Sequence, residues 1–319
     1  MADHGHIPVL LEETVELLSP RPGEVAVDCT IGRGGHAAAL AKAVGVEGRL
    51  VGFDLDRENL DYSARRVAEA MGRERGDLWE GLTALHDSFV RMPDHLREMG
   101  LKADIVLADL GFCSSQMDDP GRGLGFSTDG PLDMRLDPTG PVTAADLLAT
   151  LPEKELQRII GEYGEEPFAG RIARKLAQNR DSEPIRTTSR LARLVEEAYG
   201  RRAHSSRMHP ATRTFMALRI AVNDELAALE GLLAEIVVGC EGPEEGRWLN
   251  AGARIAIISF HSLEDRLVKR AFAELAKHDR ATRLTKRPVE ASEKERQENP
   301  RSRSAKLRAV RMADPPERK

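Results

Sequence analysis

The sequence predicts an α/β protein with a doubly wound, mostly parallel sheet that is interrupted by a helical segment. Three observations support this prediction. Strand-like and helical segments alternate before Gly111, a glycine loop follows the first strand, and an apolar run that starts at Arg254 resumes the strand pattern. Between these two parts, helical patterns follow one another without an evident strand, as expected for an insertion.

The first part of the sheet is predicted from four short apolar segments. They run from Val25 to Thr30, from Arg49 to Asp56, from Leu82 to His86 and from Ala103 to Gly111. In an open α/β sheet, ligands bind outside the carboxyl ends of the strands. Each residue at such an end could also serve only as a turn or cap residue, but their shared position indicates a site. These candidates are Asp28, Asp54, Phe89, Asp109 and, after a later strand, His261.

The stretch "VAVDCTIGRGGHAAALAKAV" leads from the first strand through a glycine loop into a helix. Gly32, Gly34 and Ala37 have the G-x-G-x-x-G/A spacing, and Asp54 follows about 20 residues on, as a ribose-binding carboxylate does. A loop of this kind exposes unpaired backbone N–H groups to a ligand. NAD, FAD and S-adenosylmethionine all fit this pattern, and so does a tight turn that only packs.

Asp28 favours one of these ligands. It ends the first strand, four positions before Gly32. A pyrophosphate about 5 Å away would be repelled by roughly 3 kcal/mol at an effective dielectric constant near 20. A ligand that carries an ammonium and a sulfonium would instead be attracted, so the loop favours S-adenosylmethionine. Asp28 could alternatively bind only loop amides.

The insertion begins with a glycine-, proline- and aspartate-rich stretch from Asp118 to Pro141, which we interpret as an ordered loop. Three helical patterns follow it, and a long amphipathic helix is predicted from Ala211 to Val238. The apolar run from Arg254 to Ser262 predicts a buried parallel strand. Two last strands are expected in "RATRLTKRPV" and "SAKLRAVRM", one of them antiparallel, with "EASEKERQENPRSR" as an exposed loop between them.

The composition is that of an ordinary soluble protein, with 319 residues, 41% of them hydrophobic and 31% charged. Cys29, Cys113 and Cys240 form no C-x-x-C pair, so no disulfide framework is expected and a reducing cytosol is the default. No apolar run approaches the roughly 18 residues of a membrane span, and the start of the chain lacks signal-peptide features. We therefore expect a cytoplasmic protein.

The charge distribution indicates a polyanionic partner, although the net charge is −5. The segment from Arg201 to Ile220 contains five arginines and no acid, and that from Asn299 to Arg311 contains four arginines, one lysine and no acid. Two such patches are typical of phosphate-backbone binding, although solvated faces without a partner are the alternative. Aromatic residues are only 4%, which argues against a base-stacking platform.

Three other groups of residues are weaker candidates for a functional site. Ser259, His261 and Asp265 crowd into "SFHSLED", but a hydrolase triad rarely comes from one short stretch, and Ser262 with Asp265 is better interpreted as a helix-capping pair. The aspartates in "DGPLDMRLD" could bind a hard cation, but prolines interrupt any long helix there, so capping duties are favoured and no metal site is expected. These aspartates are Asp129, Asp133 and Asp137. Cys113 could be a thiolate nucleophile for methylation at carbon, although Phe112 replaces the proline expected before it.

With these residues assembled, the chain resembles the bacterial 16S rRNA cytosine-N4 methyltransferase family, which uses S-adenosylmethionine. The motifs that carry the resemblance run through nearly the whole chain: "GHIPVLLEE", "DCTIGRGGH", "DLG" with "SQMDDPGRG", "DGPLDMRLDP", "GEEPFAGRIA", "HPATRTFMALRIAVNDEL", "IISFHSLEDRLVK" and "NPRSRSAKLR". So many motifs in one order are far more specific than the glycine loop alone.

The resemblance implies a Rossmann-like class I methyltransferase sheet with an inserted all-helical substrate-binding domain. We expect the methyltransferase domain in residues 1–114 and 213–319 and the RNA-recognition insertion in residues 115–212. It also implies that the cofactor contacts fall on Gly34, Gly35, His36, Asp54, Phe89, Asp109 and Gln116, to which Asp28 is added from its charge. Asp54 would bind the ribose hydroxyls, and Phe89 would pack near the adenine.

The reaction implied is methyl transfer to the N4 amine of a cytidine in the decoding region of the small ribosomal subunit. Asp109 is the hypothetical catalytic acceptor for the amine, and His261 is a candidate on the substrate side. Four arginines would hold the phosphates that flank the target base: Arg201, Arg202, Arg207 and Arg213. Two departures from the family pattern, Cys113 in place of a serine and Leu124-Gly125 in place of Phe-Ser, put only details of substrate fit in doubt.

Two other functions remain in competition. A ribosome-assembly factor without chemistry would need no complete cofactor site, so the glycine loop, Asp54 and Asp109 argue against it. An NAD-dependent oxidoreductase is disfavoured by Asp28 and by the basic patches.

Overall fold

The computed structural model describes residues 7–205, 208–241 and 246–313. It divides into two compact units. We call Met1–Gly111 with Leu226–Lys319 the sheet unit and Phe112–Glu225 the helical unit. The helical segment after His209 belongs to the helical unit, because its Phe215 and Leu218 are buried in that unit's apolar core. The second boundary therefore lies at Glu225, later in the chain than the expected residue 212.

The sheet has seven strands in the order β3-β2-β1-β4-β5-β7-β6. They are β1 Val25–Asp28, β2 Arg49–Asp54, β3 Leu82–His86, β4 Ala103–Asp109, β5 Leu249–Ser259, β6 Ala281–Arg283 and β7 Lys306–Met312. Strands β1 to β5 pair in parallel, and β7 is antiparallel to both β5 and β6. The predicted doubly wound sheet and its single antiparallel strand are confirmed. Strand β5 begins five residues before the predicted Arg254.

The α-helices are, in chain order, α1 Leu11–Leu18, α2 Gly35–Val44, α3 Arg57–Ala70, α4 Met92–Glu98, α5 Ser114–Asp118, α6 Ala144–Thr150, α7 Glu153–Glu162, α8 Ala169–Arg180, α9 Thr188–Tyr199, α10 Thr212–Asn223, α11 Glu225–Glu241, α12 Ser262–Lys277 and α13 Glu293–Glu298. None of these helices is both long and apolar enough to cross a membrane.

The sheet is covered on both faces, which explains why its strands are almost continuously apolar. Successive residues of β4 alternate between two apolar clusters, with Val106 and Ala108 in one and Ile105 and Leu107 in the other. The first cluster includes residues of α4, α11 and α12, and the second includes residues of α1, α2 and α3. In this three-layer arrangement the helices cover the two faces of the sheet, and loops lie at the carboxyl edge of the parallel strands.

The helical unit has its own core. Helices α6 to α10 contribute to it, and so does the stretch from Asp118 to Pro141 that was predicted to be an ordered loop. Leu132 and Met134 of that loop are buried, and Asn223 donates a hydrogen bond from Nδ2 to the carbonyl oxygen of Met134 at 2.8 Å. The loop is therefore ordered by apolar packing and by backbone hydrogen bonds.

The predicted single helix from Ala211 to Val238 is wrong, because it is two helices, α10 and α11. Asp224 between them has a φ of 49° and caps α10 through its N–H, which donates to the carbonyl oxygen of Ile220. Across this break, the guanidinium of Arg219 pairs with the carboxylate of Glu225 at 2.7 Å. The continuous amphipathic pattern did not reveal one left-handed residue, which ordinarily ends a helix.

The segment predicted as an exposed loop before β7 is mostly exposed, but it is helical and not a loop. It contains α13 and a short 3₁₀ segment, and both Ala291 and Ser302 are buried. Ser292 caps α13 by accepting a hydrogen bond from the N–H of Glu295. The Glu295 carboxylate in turn accepts the N–H of Leu10 at 2.8 Å. Contact with the start of the chain therefore orders a segment that is polar in sequence.

The predicted capping pair at the start of α12 is also wrong. The acid that caps this helix is Glu264, whose Oε2 accepts the N–H groups of Phe260 and His261 at 2.8 and 3.2 Å. Asp265 instead pairs with the guanidinium of Arg308 on β7, at 2.7 Å. Asp265 follows Ser262 at the spacing of the capping pattern, but the N-cap of the helix is His261, so the acid at the third position of the helix is Glu264.

We expect Gly34→Ala to destabilise the sheet unit by about 2–4 kcal/mol, because it combines left-handed strain with a clash. Gly34 has a φ of 71°, and an added Cβ would lie 2.9 Å from the Cα of Ser63 in α3. The matched control is Gly72→Ala, since Gly72 has the same φ but an added Cβ meets nothing within 4 Å. That variant should lose only about 1–2 kcal/mol.

The measurement is urea unfolding followed by tryptophan fluorescence. Both tryptophans of the chain, Trp79 and Trp248, are buried in the sheet unit, so the signal reports on that unit. Equal losses in the two variants would show that the close approach of the loop to α3 contributes nothing.

Candidate functional site

Three carboxylates lie at the carboxyl ends of adjacent parallel strands, as the sequence predicts. Asp28 ends β1, Asp54 ends β2 and Asp109 ends β4. The register places Asp28 opposite Gly52 on β2 and opposite Leu107 on β4, so the three side chains lie at one edge of the sheet. This is the edge at which open α/β sheets bind their ligands.

The glycine loop is held by Asp54. The Oδ2 atom of Asp54 accepts the N–H of Gly32 at 2.9 Å, and the N–H of Gly34 donates to the carbonyl oxygen of Ile31 at 2.8 Å. These two amides are therefore paired within the protein and are not among the unpaired N–H groups expected of such a loop. Gly34 and Gly35 are required by close packing, because added Cβ atoms would lie 2.9 Å from atoms of Ser63 and Pro8.

The pKa of Asp54 is raised, although its carboxylate accepts several hydrogen bonds that act to lower it. Burial raises the pKa of Asp54 to about 6, although hydrogen bonds from Asp56, Asn59 and Gly32 oppose the shift. The N–H of Asp56 donates to Oδ1 at 2.8 Å, and the amide of Asn59 lies 3.3 Å from both carboxylate oxygens. The carboxylate is thus fixed in orientation at the mouth of the loop.

Asp28 and Asp109 are more strongly perturbed. Burial raises the pKa of Asp28 to about 7, opposed by the Thr30 N–H and increased by repulsion from Asp54. The pKa of Asp109 is raised well above its usual value, first by burial and then by repulsion from Asp28 and Glu264. Several carboxyl groups therefore lie close together at this edge of the sheet, and their mutual repulsion adds to the effect of burial on the pKa values of Asp28 and Asp109. Such a site favours a cation.

Asp109 is held from two sides. Its backbone N–H donates to Oγ1 of Thr30 at 2.7 Å, and its Oδ2 lies 3.5 Å from Nδ1 of His36. The other ring nitrogen of His36, Nε2, lies 3.0 Å from the carbonyl oxygen of Val9. Within the part of the chain that the structure describes, the buried Oδ1 of Asp109 has no hydrogen-bond partner. An unsatisfied buried carboxylate oxygen of this kind indicates a ligand contact.

Phe89 lies beyond β3, where the sequence predicts a contact. It starts the 3₁₀ segment Phe89–Arg91, which Ser88 caps, and it packs half-buried against the apolar cluster that includes Met92. Asp87, just before it, was not singled out in the sequence. Its Oδ2 pairs with Nε2 of His95 at 2.8 Å and with the guanidinium of Arg91 at 3.2 Å.

Sequence reasoning also missed two contributors to the carboxylate cluster. Val9 lies before the first strand in the motif "GHIPVLLEE", to which no role in the site was assigned, and Glu264 was passed over in favour of Asp265. Glu264 is buried, and its Oε1 lies 3.2 Å from Nε2 of His261. A helix-capping acid at the carboxyl end of β5 was the one available signal for Glu264.

Four of the predicted site residues that the structure describes belong to the helical unit. Gln116 is buried there, and its Oε1 accepts the N–H of Cys113 at 2.9 Å. Arg201 and Arg202 are exposed, and Arg213 donates to the carbonyl oxygen of Glu165 at 3.0 Å.

The remaining predictions for this unit concern Arg207 and three aspartates. Arg207, predicted to bind phosphate, lies outside the described residues. Asp129 accepts the N–H of Ser189, Asp133 pairs with Arg135, and Asp137 accepts the N–H of Thr139. The capping and loop-ordering duties favoured for these three aspartates are confirmed.

The strand order, the antiparallel β7, the glycine loop after β1 and the acids that end β2 and β4 define a Rossmann-like class I methyltransferase. The comparison with protein families gives the particular one. This chain belongs to the MraW methylase family, whose model matches residues 3–313.

Named relatives agree with this assignment. The chain is 46% identical to "Ribosomal RNA small subunit methyltransferase H" of Solidesulfovibrio magneticus, over 97% of this chain and 96% of that protein. It is 44% identical to the protein of the same name from Symbiobacterium thermophilum, over 97% of both chains. Among solved structures, TrmN from Thermus thermophilus aligns with a TM-score of 0.41 and 15% identity, covering 98% of this chain and 51% of that chain. That likeness is too distant to carry an argument.

The raised pKa of Asp28 predicts that this residue destabilises the folded protein as the pH rises. The unfolded carboxyl ionises near pH 4, whereas the folded one keeps its proton to about pH 7, so the folded state binds more protons between these values. Asp28→Asn should therefore be more stable than the wild type at pH 8, by a few kcal/mol and roughly 4 at most. The gain should disappear below pH 4.

Urea unfolding at a series of pH values measures this difference. Asp87→Asn is the control of opposite sign. Burial raises the pKa of Asp87, but hydrogen bonds from His95 and Ser88 and the charge of Arg91 outweigh it and lower the pKa overall. That variant should be less stable than the wild type at neutral pH and should approach it as the pH falls. A gain for Asp28→Asn that does not depend on pH would contradict the ionisation argument.

Proposed function

We propose that this protein transfers a methyl group from S-adenosylmethionine to the N4 amine of a specific cytidine in 16S rRNA, in the decoding region of the small ribosomal subunit. The observation that carries the cofactor assignment is the cluster of buried acids at the carboxyl edge of the sheet. The relatives' names carry the assignment of small-subunit rRNA, and the resemblance of motifs carries the choice of cytidine N4.

The chemistry of the cluster fits S-adenosylmethionine. A sulfonium and an ammonium would neutralise carboxylates whose ionisation burial makes costly. We assign Asp28 and Asp109 to the charged part of the cofactor, Asp54 to the ribose hydroxyls and Phe89 to the adenine. Gly34, Gly35 and His36 would form the loop side of the same site. Gln116 would add a contact from the segment after β4.

The cofactor supplies an electrophilic methyl group when it is bound. The amine of cytosine is a poor nucleophile because its lone pair is delocalised into the ring. An acceptor placed against an N4 hydrogen would localise that pair and remove the proton as the nitrogen–carbon bond forms and the carbon–sulfur bond breaks. We assign this role to the Asp109 carboxylate, whose burial makes its interaction with a developing charge strong.

We propose the helical unit as the RNA-recognition domain. Its exposed Arg201 and Arg202 can bind the phosphates on either side of a base that has left its stack. The guanidinium of Arg202 also lies 5.2 Å from the ring centroid of Phe168, which holds the side chain at the surface. Arg207, Arg213 and, in the sheet unit, His261 complete the proposed substrate contacts. An enzyme that acts on ribosomal RNA is expected to work in the cytoplasm.

Two alternatives are less consistent with these residues. A dinucleotide would bring its pyrophosphate against Asp28, Asp54 and Asp109, which lie at one edge of the sheet and whose pKa values are all raised by burial. An RNA-binding assembly factor without chemistry would have no use for such a costly acidic cluster. Cys113 remains a candidate nucleophile for methylation at carbon 5, and the product of the reaction distinguishes that outcome.

The test is to incubate the protein with methyl-labelled S-adenosylmethionine and either small ribosomal subunits or free 16S rRNA that lacks the modification. We expect the label on cytidine N4 after digestion to nucleosides, and the better substrate identifies the assembly state that is methylated. Label on cytosine carbon 5 would instead indicate that Cys113 is the catalytic nucleophile. Binding of RNA without any label would support the assembly factor.

The matched variant is Asp109→Asn, with cofactor affinity and turnover measured separately. If Asp109 accepts the amine proton, turnover should fall by about 100-fold or more while cofactor affinity changes much less. A loss confined to cofactor affinity would remove the catalytic role and leave Asp109 as a binding residue.

Removal of charge at Arg201 and Arg202 should weaken RNA binding and reduce its salt dependence by about one counterion per lost phosphate contact, while cofactor binding is unchanged. RNA affinity of the Arg201→Gln, Arg202→Gln double variant is measured at several salt concentrations. The control is Arg158→Gln, since Arg158 is an arginine of the same unit whose charge is already paired with Glu155 and Glu162. Equal losses in both variants would mean that the effect is one of overall charge.

A further inference from the structure

The two ring nitrogens of His36 have different partners. The partner of Nε2 determines which of the two nitrogens carries the hydrogen in the neutral ring. Nε2 lies 3.0 Å from the carbonyl oxygen of Val9. A carbonyl oxygen can only accept a hydrogen bond, so Nε2 must carry the hydrogen. In the neutral ring, Nδ1 is then a bare acceptor.

That bare nitrogen faces a carboxyl group. Nδ1 lies 3.5 Å from Oδ2 of Asp109, so two lone pairs would oppose each other if both groups were unprotonated. A proton between them removes the repulsion, either as an imidazolium that faces a carboxylate or as a carboxylic acid that faces a neutral ring. The separation is long for a hydrogen bond, as is common for catalytic pairs before the ligand is bound.

The surroundings favour retention of this proton. The His36 side chain is buried and that of Asp109 is 19% exposed, and the charged groups that act on Asp109 from neighbouring elements are Asp28 on β1 and Glu264 on α12. His261 stands beside Glu264 at 3.2 Å, and Asp54 acts on Asp28 in turn. Negative charges on two sides disfavour an unprotonated pair.

The position of the ring is set by the start of the chain. The N–H of Leu10, the residue after Val9, donates to Oε1 of Glu295 at 2.8 Å, and the amide of Asn299 donates to the carbonyl oxygen of Ile7 at 3.1 Å. The segment from Ile7 to Leu10 is therefore fastened to α13 and its end. Its Val9 carbonyl fixes the tautomer of His36.

We propose that His36 and Asp109 form a pair that shares one proton, in which His36 is a positioning residue that holds Asp109 so that its Oδ1 accepts a proton from the attacking amine. This inference rests on the proposed function. With the shared proton on Nδ1, the carboxylate is kept ionised inside a dry site, and Oδ1 remains available.

The proton count of the step balances. The amine lone pair forms the bond to the methyl carbon, the electrons of the carbon–sulfur bond stay on sulfur, and one N4 proton moves to Oδ1. The sulfonium loses its positive charge as the pair gains one, so the total charge of the site is unchanged. The adjacent carboxylates of Asp28 and Glu264 stabilise the positive pair until its extra proton passes to water.

Two variants separate the two contacts of His36. The side-chain nitrogen of His36→Asn can occupy the place of Nδ1 and donate to Asp109, whereas that of His36→Gln reaches the place of Nε2 and donates to the Val9 carbonyl. We expect His36→Asn to stay within about 10-fold of the wild-type single-turnover rate and His36→Gln to lose about 100-fold, at cofactor saturation. Cofactor affinity is measured by calorimetry in both variants, and the rates are compared only at cofactor saturation, so that a contact of His36 with the cofactor does not enter the comparison. A rate for His36→Gln equal to or above that of His36→Asn would overturn the proposal, because anchoring of the chain start would then be the role of His36.

A second measurement needs neither cofactor nor RNA. In ¹⁵N NMR spectra of the free protein, the Nε2 of His36 should be protonated at every pH at which the protein is folded. Nδ1 should gain its proton at a higher pH in the wild type than in Asp109→Asn. A bare Nε2, or the same midpoint in both proteins, would overturn the proposal even if the variants of His36 did not fold. If the wild type failed to methylate rRNA, the proposed function would fail while these spectra still reported on the pair.

Discussion

The burial of several carboxyl groups at one edge of the sheet is the constraint around which the rest of the site is arranged. Asp28, Asp54 and Asp109 end adjacent strands, and burial raises the pKa of each. Like charges in a dry region cost free energy unless protons or a cation compensate them. The fold thus carries a local instability that a positively charged ligand relieves, and this is how a protein can convert the charge of its cofactor into binding energy.

The elements around this edge serve to hold the acids in fixed positions. Asp54 binds the amide of Gly32 and so couples the glycine loop to β2, and the loop in turn packs on α3 because Gly34 has no side chain. Thr30 binds the backbone of Asp109. On the other side, the start of the chain reaches His36 through the Val9 carbonyl. Groups held this firmly need little reorganisation during a reaction, which is the physical basis of preorganised catalysis.

The elements that follow from local pattern were predicted well, and those that depend on distant partners were not. Apolar runs of strand length identified β1, β2, β4 and β5, because a buried parallel strand must be apolar on both faces. The break at Asp224 was missed, since one left-handed residue leaves the amphipathic pattern on both sides intact. The segment around α13 is mostly exposed as predicted, but the predicted loop is a helix, and its Glu295 binds the backbone of Leu10. That contact joins the two ends of the chain and leaves no local signal.

The sequence by itself determined the order of strands and helices, the glycine loop and the positions of Asp28, Asp54 and Asp109 at strand ends, because periodicity and spacing are local properties. It also carried the family motifs from which the chemistry is proposed. Only the tertiary structure decided that these acids are buried together, that Glu264 acts on Asp109, and that the Val9 carbonyl fixes the tautomer of His36. Ionisation and tautomer depend on desolvation and on charges a few ångströms away, and those neighbours come from segments that only folding brings together.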